Sequence, residues 1–213
     1  MVFQAVSCIE RGKVKMSTIN EELTPEGFFD YIEDPVSKKL MEAMEQLMKK
    51  NSFDSISMSD ILKLSGVSRS TFYRRYADKY DLLNQNYQKL LDRTLMQISV
   101  GMSYKKCFFA LYSALKSYPA FFKNALGSNE KDGLKSYIFT VSYKVFDELM
   151  RRQGLDMDSV YNRLLLIGYL SGSLEVTCIW AERGMKEPLE QLFRVSYELM
   201  PHEIRTHLAL SYM

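Results

Sequence analysis

Residues 56–79 read Ile56-Ser57-Met58-Ser59-Asp60-Ile61-Leu62-Lys63-Leu64-Ser65-Gly66-Val67-Ser68-Arg69-Ser70-Thr71-Phe72-Tyr73-Arg74-Arg75-Tyr76-Ala77-Asp78-Lys79, and the chemistry of this stretch decides the fold. Ser57 supplies the hydroxyl of a helix N-cap, and Asp60 puts a carboxylate in the first turn, where it suits the helix dipole. Ile61, Leu62 and Leu64 give a short helix. Gly66 breaks it where a left-handed backbone is cheap only for glycine. Ser68 caps a second short helix containing residues 71–76, and Asp78 caps a third, longer one. Two short helices joined by a Gly-containing turn of about four residues form a helix-turn-helix. The first helix braces the second, whose exposed N-terminal face is free to enter the major groove of a DNA duplex.

Upstream, Val36, Leu40, Met44, Leu47 and Met48 recur on one helical face, with charged residues on the others and Asn51-Ser52 as the stop. Residues 1–34 show no sustained period and read as a flexible extension, with Met16 as a second start position. Within it, Phe28, Phe29, Tyr31 and Ile32 are apolar enough to dock. Downstream, Leu83, Tyr87, Leu90, Leu91, Thr94 and Ile98 form one stripe of the third helix. From residue 103 the pattern is helical throughout. Successive helices end before Pro119, at Gly127-Ser128-Asn129 and near Gly154. A fourth, capped by Asp158, runs to Gly184; Pro188 opens a fifth, and the tail after Pro201 forms a last weak turn. Only 10 Gly and 5 Pro in 213 residues disfavour a sandwich or barrel, which needs many tight turns. The expected class is all-α: a flexible extension (1–34), a three-helix helix-turn-helix domain (35–80), and a helical effector-binding and dimerisation domain (81–213).

The charge distribution agrees. Residues 35–80 hold nine basic and five acidic side chains, whereas residues 1–34 hold three and seven. Positive charge gathered in one short segment is what a nucleic-acid-binding element requires. Other classes find no support. The longest apolar run, residues 164–170, is interrupted by Gly168 and too short to cross a bilayer, and no secretory leader is visible. Cys8, Cys107 and Cys178 are scattered and odd in number, which suits a reducing cytoplasm and offers neither a disulfide framework nor a metal pair. No phosphate-binding glycine loop and no H-E-x-x-H motif is present. The only histidines, His202 and His207, lie in the tail. The chain is expected to be no enzyme, with no catalytic residues, no metal site and no cofactor.

The quoted stretch closely resembles the helix-turn-helix of TetR-type transcriptional regulators, most of all in Gly66-Val67-Ser68, Thr71-Phe72-Tyr73 and Lys79. The chain departs from the family habit at Ser65, where Ala is usual before the turn glycine. It departs again at Arg75 and Tyr76, where an aromatic or His and then Phe are common. The run from Tyr169 to Met185, with Gly172, Trp180 and Gly184, resembles regulators related to the dihydroxyacetone-kinase operon activators, some of which work with partner proteins. The resemblance implies a dimeric, cytoplasmic, double-stranded-DNA-binding regulator, by family habit a repressor, modulated by a small-molecule or protein effector. The alternative is a co-regulator of the same fold that acts by docking to a partner protein.

On that reading Arg69 and Ser70 reach base edges, and Tyr73 touches a thymine methyl or a phosphate. Ser57, Ser68, Thr71, Arg75 and Lys79 hold phosphates, while Ile61, Val67, Phe72 and Tyr76 pack inward. The resemblance also implies a cavity between the C-terminal helices, for which Phe108, Tyr112, Tyr143, Glu175 and Trp180 are the candidate lining residues. Glu175 sits in an apolar helix, and a buried carboxylate there needs an Arg or Tyr partner or a cationic or hydroxylated ligand. The helix from Asp158 to Arg183 is apolar on nearly all sides. Its small residues Gly168, Ser171, Gly172 and Ser173 invite close approach by a partner helix, and with the helix after Pro188 it resembles the family's four-helix dimer interface.

Overall fold

The computed structural model describes residues 27–128 and 130–209, which contain ten α-helices and no strand. Three short helices form the N-terminal unit: α1 (Pro35–Met48), α2 (Met58–Ser65) and α3 (Arg69–Tyr73). α4 (Lys79–Arg93) leads away from them. It is followed by α5 (Tyr104–Lys116), α6 (Pro119–Leu126), α7 (Leu134–Arg152), α8 (Val160–Glu182), α9 (Leu189–Leu199) and α10 (His202–Ala209).

The caps explain the boundaries. Asp34 accepts from the Ser37 amide at 2.7 Å, and Pro35 occupies the first turn of α1, where no amide partner is needed. Ser57 and Asp60 cap α2 reciprocally. Gly66 ends it at φ 69°, and its amide bonds Leu62 O at 3.1 Å. Ser68 Oγ accepts from the Thr71 amide at 3.1 Å, and Asp78 Oδ1 accepts from Tyr80 and Asp81 at 2.8 Å. The first three capping residues expected from the sequence therefore do the work assigned to them.

Four expectations change. Residues 27–34 are not free: a 3-10 turn at Phe28–Tyr31 buries Phe28, Phe29, Tyr31 and Ile32. The Phe28 ring lies 5.0 Å from that of Phe122 and 5.7 Å from that of Phe121, plugging the gap between α4 and α6. Residues 1–26, including Cys8 and Met16, lie outside the described residues. The third helix stops at Arg93, because the Thr94 hydroxyl turns back onto Leu90 O at 2.6 Å and a 3-10 segment, Leu95–Val100, carries Ile98 to the same core. Asp158 does not cap α8. It pairs with Arg151 at 3.0 Å, and the N-cap position falls to Ser159. The tail forms a real helix, α10, anchored by buried Ile204 and Leu208.

α8 is 23 residues long and apolar enough by composition to cross a membrane. Its Leu166, Tyr169, Leu170, Leu174, Thr177, Cys178, Trp180 and Ala181 are instead buried against the other helices, principally α6, α7 and α9. One continuous apolar core runs from Phe28 through α1, α4 and α6 to α8 and α10.

Candidate nucleic-acid interface

α3 is only five residues long, and one side chain fixes it. Phe72 is fully buried, with its ring 5.5 Å from that of Tyr76, whose hydroxyl lies 2.5 Å from Ser37 Oγ under α1. Tyr76 is thus a packing residue, as expected. With Phe72 pointing inward, Arg69, Ser70, Tyr73 and Arg74 all face solvent. Arg69 donates to Ser59 Oγ at 3.2 Å, and its guanidinium lies 6.0 Å from the Tyr73 ring centre. A single bond to an exposed hydroxyl is easily exchanged, so the guanidinium is held over the face of α3 without being spent there. Ser70 Oγ lies 3.1 Å from Ser68 Oγ, and Ser68 also donates to Thr71 Oγ1 at 2.8 Å. Ser57, Ser68 and Thr71 are accordingly occupied first in holding the ends of α2 and α3.

Two of the expected phosphate ligands have other partners. Lys79 Nζ donates to three backbone carbonyls, Phe53 at 2.9 Å and Asp54 and Ile56 at 2.8 Å. Its ammonium also lies over the rings of Phe53 and Tyr80, 5.2 Å from each centre. All three ammonium hydrogens are used, so Lys79 closes the α1–α2 connection. Burial lowers its pKa, opposed by the nearby carboxylates of Asp54, Glu130 and Asp78. Arg75 pairs with Asp34 at 2.8 Å, the same carboxylate that caps α1. Arg74 lacks an ion pair among the described residues and stands exposed at the end of α3. The sequence reading passed over it; its place after the buried Phe72, on the face opposite, was the available signal.

In the C-terminal half a cavity of about 70 Å³ lies between α5, α7, α8 and α9, with α4 below. Phe108 and Tyr112 line it, their rings stacked at 4.0 Å. Tyr143, Glu175 and Trp180 do not. Tyr143 stacks on Phe139 at 6.4 Å, and Trp180 stands behind Tyr112, with its indole nitrogen 3.3 Å from Glu187 O. Glu175 is more than half exposed and bonds Lys135 across to α7 at 2.8 Å. The expected buried carboxylate is a surface ion pair, because α8 leaves the face carrying Glu175 uncovered. Tyr104, Ser142, Thr177 and Ser196, on the cavity wall, were not singled out from the sequence, and Ser173, expected to face a partner helix with Gly168, Ser171 and Gly172, turns into this cavity instead. A hydroxyl inside an aromatic stripe gives no signal until the helices are packed.

Residues 40–85 match the family described as bacterial regulatory proteins, tetR family. Residues 102–202 match the family described as transcriptional regulator C-terminal region. No curated protein matches the chain. The two matches join a DNA-binding head to a regulatory helical body and together span more than half the sequence. The chain therefore belongs to the tetR family of bacterial regulatory proteins, helix-turn-helix regulators of transcription.

Proposed function

We propose that the chain represses transcription as a homodimer on a pseudo-palindromic operator and releases or repositions on the DNA when a small molecule occupies the helical body. The observation that carries the reading is the joint exposure of Arg69, Ser70, Tyr73 and Arg74 on α3 above the buried Phe72. Arg69 and Ser70 read base edges, Tyr73 packs on the groove wall, and Arg74 neutralises a phosphate. Ser57, Ser68 and Thr71 lie at helix starts beside the backbone of the duplex. Arg75 reaches a phosphate only by leaving Asp34.

Dimerisation is supported by the apolar face left open on α8 and α9. Val160, Tyr161, Leu164 and Ile167 are exposed on the first, Val195 and Leu199 on the second. A side chain at Gly168 would meet nothing within 4 Å, and at Gly172 only Leu199 Cδ1 at 3.9 Å, so both positions are open to a second copy. A twofold pair presents two recognition helices to two half-sites.

Fluorescence anisotropy with DNA from around the chain's own gene, against scrambled DNA over a salt series, tests the reading. Selective binding is expected, its log affinity falling linearly with log salt by about 0.9 per neutralised phosphate. Weak binding equal for both DNAs would favour a co-regulator that docks to a partner protein.

A further inference from the structure

The cavity wall is chemically uniform in a way that names its ligand. Its residues are aliphatic or aromatic, or they bear hydroxyls; no Asp, Glu, Lys, Arg or His is among them. Five of the hydroxyls fall into two bonded groups. Tyr104 Oη lies 2.8 Å from Tyr169 Oη and 3.2 Å from Ser196 Oγ, which is 3.4 Å from Tyr169 Oη. Tyr112 Oη lies 2.8 Å from Thr177 Oγ1, which donates to Ser173 O at 2.9 Å. Tyr169, Ser173 and Thr177 are spaced four residues apart on α8, so Ser173 stands on the same line midway between the two groups. Its Oγ is buried and makes no hydrogen bond of full geometry, interacting only loosely with the Tyr169 hydroxyl. A buried hydroxyl left without a full hydrogen bond is destabilising, and such atoms in native structures call for an explanation. Burial pushes the Tyr112 hydroxyl up to about 12 and those of Tyr104 and Tyr169 above their ordinary value, so the wall carries no charge near neutral pH.

We propose that the cavity binds a small, uncharged, largely apolar molecule with a single hydroxyl or carbonyl group, a phenol, alcohol or ketone, whose polar atom bonds Ser173 Oγ. An ionised ligand would lose its hydration and gain no counter-charge, so charged relatives of the same shape are rejected. The space of about 70 Å³ is smaller than the roughly 150 Å³ of an apolar cavity that takes up benzene. A six-membered ring therefore enters by moving the wall, and the half-buried Ile138 and Phe139 are the members free to move. The inference rests on the reading that the helical body holds an effector.

The test uses the full chain, with phenol, toluene, benzoate and benzylammonium as probes, followed by Trp180 fluorescence and thermal melting at pH 7. Phenol is expected to bind, with Trp180 reporting through Tyr112, whose ring centre is 5.8 Å away. Benzoate and benzylammonium are expected to bind at least tenfold more weakly. Ser173→Ala should weaken phenol about fivefold, the loss of one neutral hydrogen bond, and leave toluene unchanged. Ser173→Leu should fill the space and abolish binding of both. Binding of benzoate or benzylammonium as tight as phenol, failure of phenol to bind, or an equal loss of phenol and toluene in Ser173→Ala would overturn the proposal. Operator affinity measured alongside separates the two readings. Phenol that binds yet leaves operator affinity unchanged sinks effector control and keeps the ligand class. Selective operator binding without any phenol binding does the reverse.

Discussion

The side chain of Asn124 on α6 accepts a hydrogen bond from the backbone amide of Phe53 at 2.7 Å, more than seventy residues away in sequence. The Asn124 Nδ2 in turn donates to Met48 O at 3.0 Å and Asn51 O at 2.7 Å. One polar side chain of the helical body thereby satisfies three backbone groups left open where α1 ends, a place where helix carbonyls have no partner of their own. Nearby, Ser128 Oγ donates to Asp54 at 2.6 Å. The head is tied to the body through these bonds and the core under Phe28.

Asn124→Ala should therefore cost stability well beyond an ordinary surface change, about 1–3 kcal/mol, because partly buried backbone groups lose partners that water replaces poorly. Urea denaturation followed by circular dichroism checks this. A loss within about 0.5 kcal/mol, typical of surface substitutions, would mean that the tie is dispensable.

Lys79 and Arg74 should behave oppositely in DNA binding. Lys79→Met leaves the three carbonyls of Phe53, Asp54 and Ile56 without their donor and is expected to lower the melting temperature while the salt slope stays at the wild-type value. Arg74→Ala should leave melting unchanged and reduce the slope by about 0.9 per half-site, the share of one phosphate. A reduced slope for Lys79→Met would return Lys79 to the DNA contacts.

The contrast between these two residues shows what the sequence could and could not reveal. Ser57, Gly66, Ser68 and Asp78 were legible because a cap or a left-handed turn depends on a few adjacent residues. The core face of α1 was legible from its period. The carbonyl contacts of Lys79 were not legible, because its partners lie 23–26 residues upstream and no local pattern encodes a loop folding back. Glu175 was misread for a related reason: α8 is apolar on nearly all sides, so its sequence does not tell which face stays open. Ser173 was assigned to the partner-helix face with Gly172 and turns out to line the cavity, for the same reason.

Asp34 makes the head sensitive to acid. Its carboxyl is lowered to about 2, first by the Ser37 hydroxyl and then, against the cost of burial, by the Ser37 amide and Arg75. The folded value is below the ordinary value of 3.8, so the stabilisation is complete above pH 4 and is lost as the pH falls from about 4 to about 2. The group is partly exposed, so the magnitude is that of a helix cap, about 1 kcal/mol. Asp34→Asn should remove most of this pH dependence while keeping part of the cap. Equal acid sensitivity in Asp34→Asn and the wild type, measured by urea midpoints from pH 5 to pH 2, would assign the effect elsewhere.

Arg69→Ala tests base reading. Among the described residues its guanidinium is hydrogen-bonded only to Ser59 and lies loosely over the exposed Tyr73 ring, so removal should leave melting unchanged. Preference for the operator over a variant with one altered guanine should fall by roughly 1–3 kcal/mol per half-site. An equal weakening on operator and scrambled DNA would demote Arg69 to a phosphate contact.

The open face of α8 supplies the last expectation. Leu164 is 60% exposed in the single chain and sits one turn from Tyr161 and from Gly168, at the middle of the apolar surface. In a monomer, Leu164→Glu should cost little, since a charge in water carries no desolvation penalty. Across a twofold interface the same change would place two carboxylates against apolar partners, which is strongly unfavourable. The variant is expected to melt near the wild-type temperature as a monomer by light scattering. Operator binding should retain roughly half the wild-type salt slope, because one recognition helix engages at a time. A Leu164→Glu chain that remains dimeric with unchanged operator affinity would move the interface away from α8, and the exposed residues on α9 would then need testing by the same substitution at Leu199.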